Sequence, residues 1–426
     1  MVIAGILILL VVLLLTGMPI AFVMAVTSAT YLYVADIDFS MLSQRMTTAV
    51  DSFLILAIPF FYLAGELMNA CKLTDRIVNM SKAFVGHIHG GLAQVNIVAS
   101  MIFAGMSGSA TADTAALGSV LIPAMKKEGY DADFSAAVTV ASAMIGPIIP
   151  PSVAMVIYGA LADVSIGRLL LAGILPGISI GITQMIFTYF LAKKRGYPRY
   201  PRATVKQAAY ATYKGLAAVL FPIIIVGGIV SGVFTPTEAA AAAVLYGLVL
   251  GVFVYRNVGY KDLWKTLLQV SWGSVRVLII VAAASAFSWI MVREQVPQLI
   301  ADGLFSITDD PLIVIAVMTV FLLMVGLFMV ASSAEIVLAP ILVPVVVQFG
   351  VDPVHFGVLM VFSLIVGGGT PPVGVLLYIA QDIAGIPFGK MVRAMIPYYI
   401  PLFTAIIIIA VFPQLSLWIP NMVFGN

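Results

Sequence analysis

Charged side chains and cysteines are scarce in this chain. Only 9% of its 426 residues are charged, whereas a soluble globular domain carries about 25%. The one cysteine, Cys71, excludes an internal disulfide and a cysteine-based metal cluster. The net charge of +2 is too small to predict nucleic acid binding. The sequence also contains no Walker A motif, so ATP is not the expected energy source.

Apolar residues, in contrast, make up 62% of the chain. They form many runs of about 20 residues, the length that a helix needs to cross the hydrocarbon core of a bilayer. The predicted fold class is an all-α polytopic membrane protein. The first apolar stretch, Val2 to Leu15, follows no charged segment and precedes no small-residue cleavage site. We therefore expect it to remain in the mature protein.

A dense group of basic residues near the middle of the chain orients the predicted topology. Such a group is cytoplasmic by the positive-inside rule. Counting apolar crossings from it towards each end gives five crossings on either side, and it places the N- and C-termini in the periplasm. The members of this basic linker are Lys193, Lys194, Arg195, Arg199, Arg202 and Lys206.

The two halves of the chain share a spacing of glycine, proline and a few other residues. Gly105 and Gly326, for example, lie 221 positions apart (326 minus 105). Because each half has an odd number of crossings, the second copy must run through the membrane inverted, as in many secondary transporters. We predict a first inverted repeat over residues 1–206, ending in the basic linker, and a second over residues 207–426. The other coincident pairs are Ala110/Ala331, Pro123/Pro344, Gly129/Gly350, Asp131/Asp352, Gly146/Gly367, Pro150/Pro371, Pro151/Pro372 and Pro176/Pro397.

Two segments of each repeat are interrupted in the middle. Residues 90–125 and 311–346 are too long for one span, and each is predicted to form a re-entrant hairpin of two half-spanning helices. Residues 131–162 and 352–380 are predicted to be helices broken at a diproline, because proline lacks an amide hydrogen and clashes with the preceding turn. Bare backbone at this depth is tolerated only where it lines a polar cavity. The interruptions therefore mark the predicted site.

Opened carbonyls and the C-terminal ends of half-helices favour a small hard cation such as Na⁺, and the N-terminal ends favour a carboxylate. We therefore predict two Na⁺ sites and, between the hairpin tips, a site for the organic substrate. The first Na⁺ is expected between Ser107, Ser109, Gly146 and Pro147. The second is expected between Met329, Ser332, Gly369 and Thr370. The expected substrate-binding residues are Ser107, Thr111, Ser332, Ser333 and Thr370.

Two carboxylates, Asp113 and Glu335, lie one turn beyond the hairpin interruptions. Each either stabilises the start of its helix through the helix dipole or lies near a cation, and the sequence leaves both readings open. Glu66 lies inside a spanning segment, where it is either functional or hydrogen-bonded between helices. The motif Thr235-Pro236-Thr237-Glu238 predicts a helix start with a capping box.

Several motifs together closely resemble the large membrane subunit of tripartite ATP-independent periplasmic (TRAP) transporters. The resemblance covers essentially the whole chain. It implies an inverted-repeat, elevator-type transporter that is not an enzyme and that imports an organic acid with Na⁺ across the bacterial inner membrane. The motifs are PFF at residues 59–61, AGELM at 64–68, GMSGSATADTAA at 105–116, IGPIIPPS at 145–152, TPTEA at 235–239 and GTPPVG at 369–374.

The resemblance also implies partners and a range of substrates. The partners are a small four-helix membrane subunit and a periplasmic substrate-binding protein. Because some members of the family fuse the small subunit to the large one and this sequence shows no such extension, we expect the small subunit to be a separate chain. The substrate is expected to be a C4-dicarboxylate, sialic acid or another sugar acid, with a slight preference for a sugar acid. No cofactor is expected besides Na⁺ as the coupling ion.

Two alternatives remain at this point. A stand-alone Na⁺/carboxylate symporter shares hairpins and inverted repeats, but its Ser-Asn-Thr signature is absent from both tips. An intramembrane serine protease is a remote alternative, because residues 105–108 read Gly-Met-Ser-Gly. Such an enzyme needs a base beside Ser107, and none of the three histidines is expected in a spanning core.

Overall fold

The computed structural model describes residues 2–53, 55–71 and 73–425, which are helical with short connections and contain no β-strand. The helices that precede the basic linker, or run into it, are α1 (Val2–Leu15), α2 (Ile20–Val34), α3 (Ser40–Val50), α4 (Ala57–Ala70), α5 (Thr74–Val85), α6 (Gly91–Ser107), α7 (Ala110–Lys127), α8 (Ala132–Ala143), α9 (Val153–Ala162), α10 (Ile166–Ala172) and α11 (Ile174–Lys194).

The remaining helices follow the linker. They are α12 (Val205–Val230), α13 (Pro236–Leu248), α14 (Tyr260–Arg293), α15 (Val296–Phe305), α16 (Pro311–Gly326), α17 (Ala331–Gln348), α18 (Pro353–Gly368), α19 (Val375–Ala384), α20 (Phe388–Met395), α21 (Tyr399–Val411) and α22 (Gln414–Phe424). A π-helical turn, Val249–Val254, extends α13, and a 3₁₀ turn, Ile396–Tyr398, joins α20 to α21.

Within the described residues, six helical segments are long and apolar enough to cross a membrane, and many shorter apolar helices accompany them. The predicted class, an all-α polytopic membrane protein, is confirmed. The predicted helix start at Thr235 is also confirmed, because its side chain accepts a hydrogen bond from the Glu238 amide while Glu238 accepts one from the Thr235 amide. The six segments are Ile166–Lys194, Val205–Val230, Pro236–Val254, Tyr260–Arg293, Ala331–Gln348 and Phe388–Val411.

Each predicted hairpin is a pair of helices joined by a few residues. Helices α6 and α7 are separated by Gly108 and Ser109, and α16 and α17 by residues 327–330. Their four arms contain 16 to 18 residues, or roughly 24–27 Å of helix, close to the thickness of about 30 Å of a bilayer core. The arms are therefore longer than the half-spanning helices that the sequence predicts. The second interruption, predicted over Leu327 to Ser333, covers only residues 327–330.

The two diproline segments also interrupt their helices. Residues 144–152 separate α8 from α9, and residues 369–374 separate α18 from α19. The peptide bonds Pro150-Pro151 and Pro371-Pro372 are both cis. Ser152 restarts the chain as a helix, because its side chain accepts a hydrogen bond from the Met155 amide.

The helix that follows each break, α9 or α19, packs against helices of the other half of the chain. Helix α9 packs against α17 and α18, whereas α19 packs against α7 and α8. This packing brings all four interruptions together in the interior, although they are far apart in sequence.

The register of the repeat is kept in the second arm of each hairpin. Helices α7 and α17 begin and end at positions 221 residues apart (331 minus 110 and 348 minus 127). Elsewhere the two copies differ: α3 and α4 are separate helices, whereas the corresponding residues of the second half belong to the single 34-residue helix α14.

Candidate functional site

The four interruptions surround one cavity of about 230 Å³. The first turns of four helices form much of its wall, each contributing two residues. These are Ala110 and Thr111 of α7, Val153 and Ala154 of α9, Ala331 and Ser332 of α17, and Val375 and Leu376 of α19. Because the amides of a first helical turn lack intrahelical partners and the helix dipole is positive at this end, the four ends together favour an anionic group in the cavity.

C-terminal ends of helices line the same cavity. Ser107 ends α6, Gly326 ends α16 and Gly368 ends α18, and all three are wall residues. The carbonyl oxygens that follow the second end are bare, since no described donor reaches the carbonyls of Leu327 to Met329. The C-terminal helix ends, with partial negative charge, therefore lie in the same cavity wall as the N-terminal ends, with partial positive charge. One cavity can thus bind both a cation and an anion.

Local chemistry fixes the tip of the first hairpin. Gly108 ends α6 with a φ of +57°, and a Cβ there would lie 2.6 Å from the carbonyl oxygen of Pro151. Glycine is therefore required at this position for its positive φ and for its small size. Ser109 then begins α7, because its Oγ accepts a hydrogen bond from the Ala112 amide at 3.4 Å. The Ser109 and Thr111 hydroxyls are 3.0 Å apart.

Asp113 is the charged group of this tip. It is fully buried, and the Ser107 hydroxyl donates a hydrogen bond to its Oδ1. Its Oδ2 has no hydrogen-bond partner among the described residues, and it lies 2.6 Å from where a Cβ of Gly146 would be. No described donor reaches the carbonyl oxygen of Gly146. An unpartnered carboxylate oxygen thus lies beside a residue with a bare carbonyl oxygen, and both kinds of oxygen are ligands of hard cations.

The second tip has a different composition. Phe328, Met329 and Val330 precede α17, and no side chain caps its first turn. Ser332 and Met329 line the cavity, as does Glu335. Glu335 is only 1% exposed, and its Oε1 has no partner within the described part of the chain. Among the described wall residues, Glu335 is the one charged side chain, and none is basic.

The structure brings together most of the predicted site residues. Six of them line the cavity: Ser107, Ser109, Thr111, Pro147, Met329 and Ser332. Gly146 lies behind the wall, beside Asp113.

Three other predicted residues, Ser333, Gly369 and Thr370, are not wall residues. The Gly369 carbonyl accepts a hydrogen bond from the Tyr399 hydroxyl at 3.1 Å, and the Thr370 hydroxyl donates to the Val366 carbonyl at 2.8 Å. Gly369 also packs closely against Met144, whose Cε lies 1.9 Å from the position of an added Cβ. These contacts engage the Gly369 carbonyl with Tyr399 and turn the Thr370 hydroxyl back onto the last turn of α18. Their roles as ligands stay predictions.

Sequence reasoning missed the residues that reach the cavity from packed helices. Tyr62 of α4 lines it, as do Ile157 of α9 and Val361, Leu364 and Ile365 of α18. They have no motif, since only the packing of α4 and α18 turns them inwards. A mostly apolar wall with a few polar groups is typical of sites for small molecules.

The histidines do not form a catalytic pair with Ser107, whose hydroxyl is bound to Asp113. His355 is nevertheless buried, in the first turn of α18, with its Nδ1 3.3 Å from Ser416 Oγ. This burial arises because the C-terminal helix α22 packs against α18, and the expectation that no histidine lies in a spanning core stays a prediction.

Comparison with known proteins extends over nearly the whole chain. Residues 7–415 match the family described as the DctM component of tripartite ATP-independent periplasmic transporters. The sialic acid TRAP transporter large permease protein SiaM of Vibrio cholerae is 41% identical over 97% of both chains. The C4-dicarboxylate TRAP transporter large permease protein DctM of Pseudomonas aeruginosa is 37% identical over 89% of both chains. The crystal structure of the Alcanivorax borkumensis YdaH transporter shares the fold, with a TM-score of 0.64 at 15% identity over 90% of this chain and 89% of that one.

Proposed function

Since this chain belongs to the DctM family of tripartite ATP-independent periplasmic transporters, we propose that it imports an organic acid together with Na⁺. The observation that carries the proposal is the cavity into which four helix N-termini and three C-terminal helix ends converge. A transporter needs such a place, where cation and anion are held together and released together.

The first Na⁺ is proposed to bind at the first hairpin tip, at Ser107, Ser109, Gly146 and Pro147. The bare carbonyl of Gly146 and the unpartnered Oδ2 of Asp113 support this assignment. The Pro147 carbonyl is less available, since it accepts a hydrogen bond from the Ser152 hydroxyl.

The second Na⁺ is proposed to bind at the second tip, with Met329 and Ser332 on the cavity wall and Gly369 and Thr370 behind it. The substrate then lies between the tips, near Ser107, Thr111 and Ser332, with Ser333 and Thr370 as outer contacts. Its carboxylate faces the first turns of α7 and α17. Identity of 41% with a permease named for sialic acid supports a sugar acid, and a C4-dicarboxylate is the second candidate.

The proposed mechanism is an elevator motion of the two hairpins and the two broken helices against the remaining helices. The proposed repeats are residues 1–206 and 207–426. If two Na⁺ enter with one monoanion, each cycle moves one net positive charge inwards. A membrane potential of 100 mV then contributes about 2.3 kcal/mol per cycle, enough for roughly tens-fold accumulation of the acid before the Na⁺ gradient is counted.

The protein is proposed to lie in the bacterial inner membrane with both termini in the periplasm. Its proposed partners are a small four-helix membrane subunit and a periplasmic binding protein that delivers the acid. Membrane insertion itself is supported by the apolar helices and by their exposed apolar side chains.

Uptake by proteoliposomes tests this function. Vesicles contain this chain and the small subunit, the binding protein and radiolabelled N-acetylneuraminate or succinate are outside, and Na⁺ or K⁺ is supplied. We expect uptake only with an inward Na⁺ gradient and only with the binding protein. Uptake without the binding protein would instead support the stand-alone symporter.

The stoichiometry has its own test in the same vesicles. A K⁺ diffusion potential that is negative inside, set with valinomycin, is expected to accelerate uptake. Uptake that does not respond to this potential would refute the net movement of one charge.

A further inference from the structure

Glu335 is a carboxylate in an unexpected place. It belongs to the wall of a cavity proposed to hold an organic anion, and it is 1% exposed. No basic side chain is among the described wall residues, and the Glu335 Oε1 has no hydrogen-bond partner in the described part of the chain. A buried carboxylate with an unpartnered oxygen in such a place is unfavourable, and it would repel a second carboxylate. A cation bound between the two would remove both costs.

The surroundings of Glu335 provide the ligands of a hard cation. Ser332 lies three residues earlier on the same helix and lines the same cavity, so both side chains share one helix face. The carbonyl oxygens of the interruption from Leu327 to Met329 receive no hydrogen bond from a described donor. Carboxylate, hydroxyl and carbonyl oxygens together are the donor set that hard cations prefer.

The first tip shows why Glu335 differs from Asp113. The Asp113 carboxylate is held by the Ser107 hydroxyl and lies behind the cavity wall, beside Gly146. Glu335 has no such partner at the position equivalent to Ser107, which is Phe328 (107 plus 221). It is also one residue out of register with Asp113, whose equivalent is Ala334. The two carboxylates are thus not copies of one repeated site, and Glu335 faces the cavity directly.

We propose that Glu335 is a ligand of a cation bound at the second hairpin tip, and that this cation, in place of a basic side chain, meets the anionic group of the cargo. The proposal rests on the proposed function. It moves the second cation from Gly369 and Thr370, whose polar groups are engaged elsewhere, to Ser332 and Glu335. It also gives a reason why a wall without arginine or lysine can bind an acid: the cation offsets one of the two carboxylate charges, and the N-terminal ends of the helices that line the cavity offset part of the other.

Na⁺-dependent thermal stability tests the ligand role without any transport. The purified full chain in detergent is titrated with NaCl against choline chloride at constant ionic strength, and the unfolding midpoint is recorded. A ligand that binds only the folded protein raises this midpoint with its concentration. For Glu335→Gln we expect the Na⁺ concentration that gives half of the rise to be at least about tenfold higher, or about 1.4 kcal/mol of lost binding energy.

The control is Glu66→Gln, since Glu66 is a half-buried carboxylate of α4 that does not line the cavity. It should leave the Na⁺ titration unchanged. Glu335→Asp, which keeps the charge, should recover part of the response and serves if the glutamine variant does not fold. If Glu335 only stabilises the start of α17, its variants unfold at a lower temperature with an unaltered Na⁺ response, and the proposal is wrong.

Two further outcomes also decide against the proposal. An equal rise when KCl replaces NaCl in the same titration would show that the stabilising site does not select Na⁺ and is not the site of the coupling ion. A midpoint that depends on pH through Glu335 but not on Na⁺ would mean that a proton neutralises this carboxylate. A third outcome concerns the proposed function and leaves the ligand role of Glu335 intact. If the wild type takes up neither acid but its Na⁺ response still depends on Glu335, only the proposed function is overturned.

The contact between cation and cargo is tested by adding N-acetylneuraminate or succinate to the same titration. In the wild type, the acid should raise the midpoint further only when Na⁺ is present. In Glu335→Gln this additional rise should be lost. A rise that is equal with and without Na⁺ would contradict the bridging cation.

Discussion

The two hairpin tips have matching backbones and different chemistry. Helices α7 and α17 are in register across the repeat, yet the residues before them are Ser107-Gly108-Ser109 in one copy and Phe328-Met329-Val330 in the other. The first tip is organised by side chains, through the contact of Ser107 with Asp113 and the Ser109 cap. The second has bare carbonyls and a buried carboxylate, Glu335, with one unpartnered oxygen. The repeat thus preserves shape, while each tip acquires its own ligands.

The paired glycines show the same divergence. Gly367 packs against the backbone of α16, where an added Cβ would lie 2.5 Å from the Leu323 carbonyl oxygen and 2.8 Å from Gly326 Cα. Its counterpart Gly146 instead makes room for a side chain, the Asp113 carboxylate. One glycine therefore permits two helices to touch, and the other leaves room for a carboxylate beside the backbone.

The largest effect is expected from Gly367→Ala. Backbone atoms of α16 cannot move aside as a side chain can, so overpacking should lower the free energy of unfolding by about 3 kcal/mol. The unfolding midpoint of the purified protein measures this. Gly368→Ala is the matched control, since its Cβ would find only the Gly326 carbonyl oxygen, at 3.9 Å. Equal midpoints for the two variants would contradict the close contact of α16 and α18.

Gly146→Ala should act on ion binding more than on folding. The new methyl group displaces the Asp113 carboxylate, so we expect the apparent affinity for Na⁺ to fall about tenfold, or about 1.4 kcal/mol, with a smaller change in stability. Half-maximal Na⁺ concentrations for uptake measure it. Gly227→Ala, at a helical position with nothing within 4 Å of an added Cβ, should leave the affinity unaltered. A normal affinity in Gly146→Ala would remove the first tip from the cation site.

Ser107→Ala and Ser333→Ala compare a wall serine with one outside the wall. Loss of the Ser107 hydroxyl removes a hydrogen bond to a charged group, worth about 1.5–3 kcal/mol, and should weaken Na⁺-dependent uptake accordingly. Ser333→Ala should keep most of the activity, since Ser333 is not a wall residue. If Ser333→Ala impairs uptake as strongly, Ser333 contacts the substrate in another state of the transporter.

The smallest effect is expected from Tyr399→Phe. It removes the hydrogen bond of 3.1 Å from the Tyr399 hydroxyl to the Gly369 carbonyl, which should lower stability by about 1 kcal/mol and free that carbonyl. Na⁺ affinity distinguishes two positions of the second ion. An unchanged affinity is expected if the ion lies at Ser332 and Glu335, whereas a tighter affinity would return it to Gly369.

Much of the fold could be predicted because its signals are local. Gly108 needs its positive φ, Ser109 and Ser152 cap helices within three residues, and the diprolines cannot continue a helix. Each of these rules acts over one helical turn, so the sequence predicts where the backbone opens. The length of the hairpin arms was underestimated, because an apolar run does not reveal how deep a helix lies in the membrane.

Membership of the cavity wall was harder to predict. Tyr62 reaches the wall from α4, and Gly369 is turned towards Met144 and Tyr399. No motif distinguishes these cases. The packing of the neighbouring helices decides which face of a helix lines the cavity, and a local sequence pattern does not report that packing. Here α9 packs against helices of the second half and α19 against helices of the first half, and this packing determines which residues line the cavity.

The sequence by itself determined that the chain lies in a membrane, that its two halves repeat and that helices open at four points. It could do so because hydrophobicity, proline and glycine act on the chain locally. Only the tertiary structure decided which opened ends meet, that Asp113 lies behind the wall and that Glu335 faces the cavity. The physical reason is that these contacts join residues that are several helices apart in the chain. The close packing of whole helices, and not the preference of any one residue, determines where each side chain points.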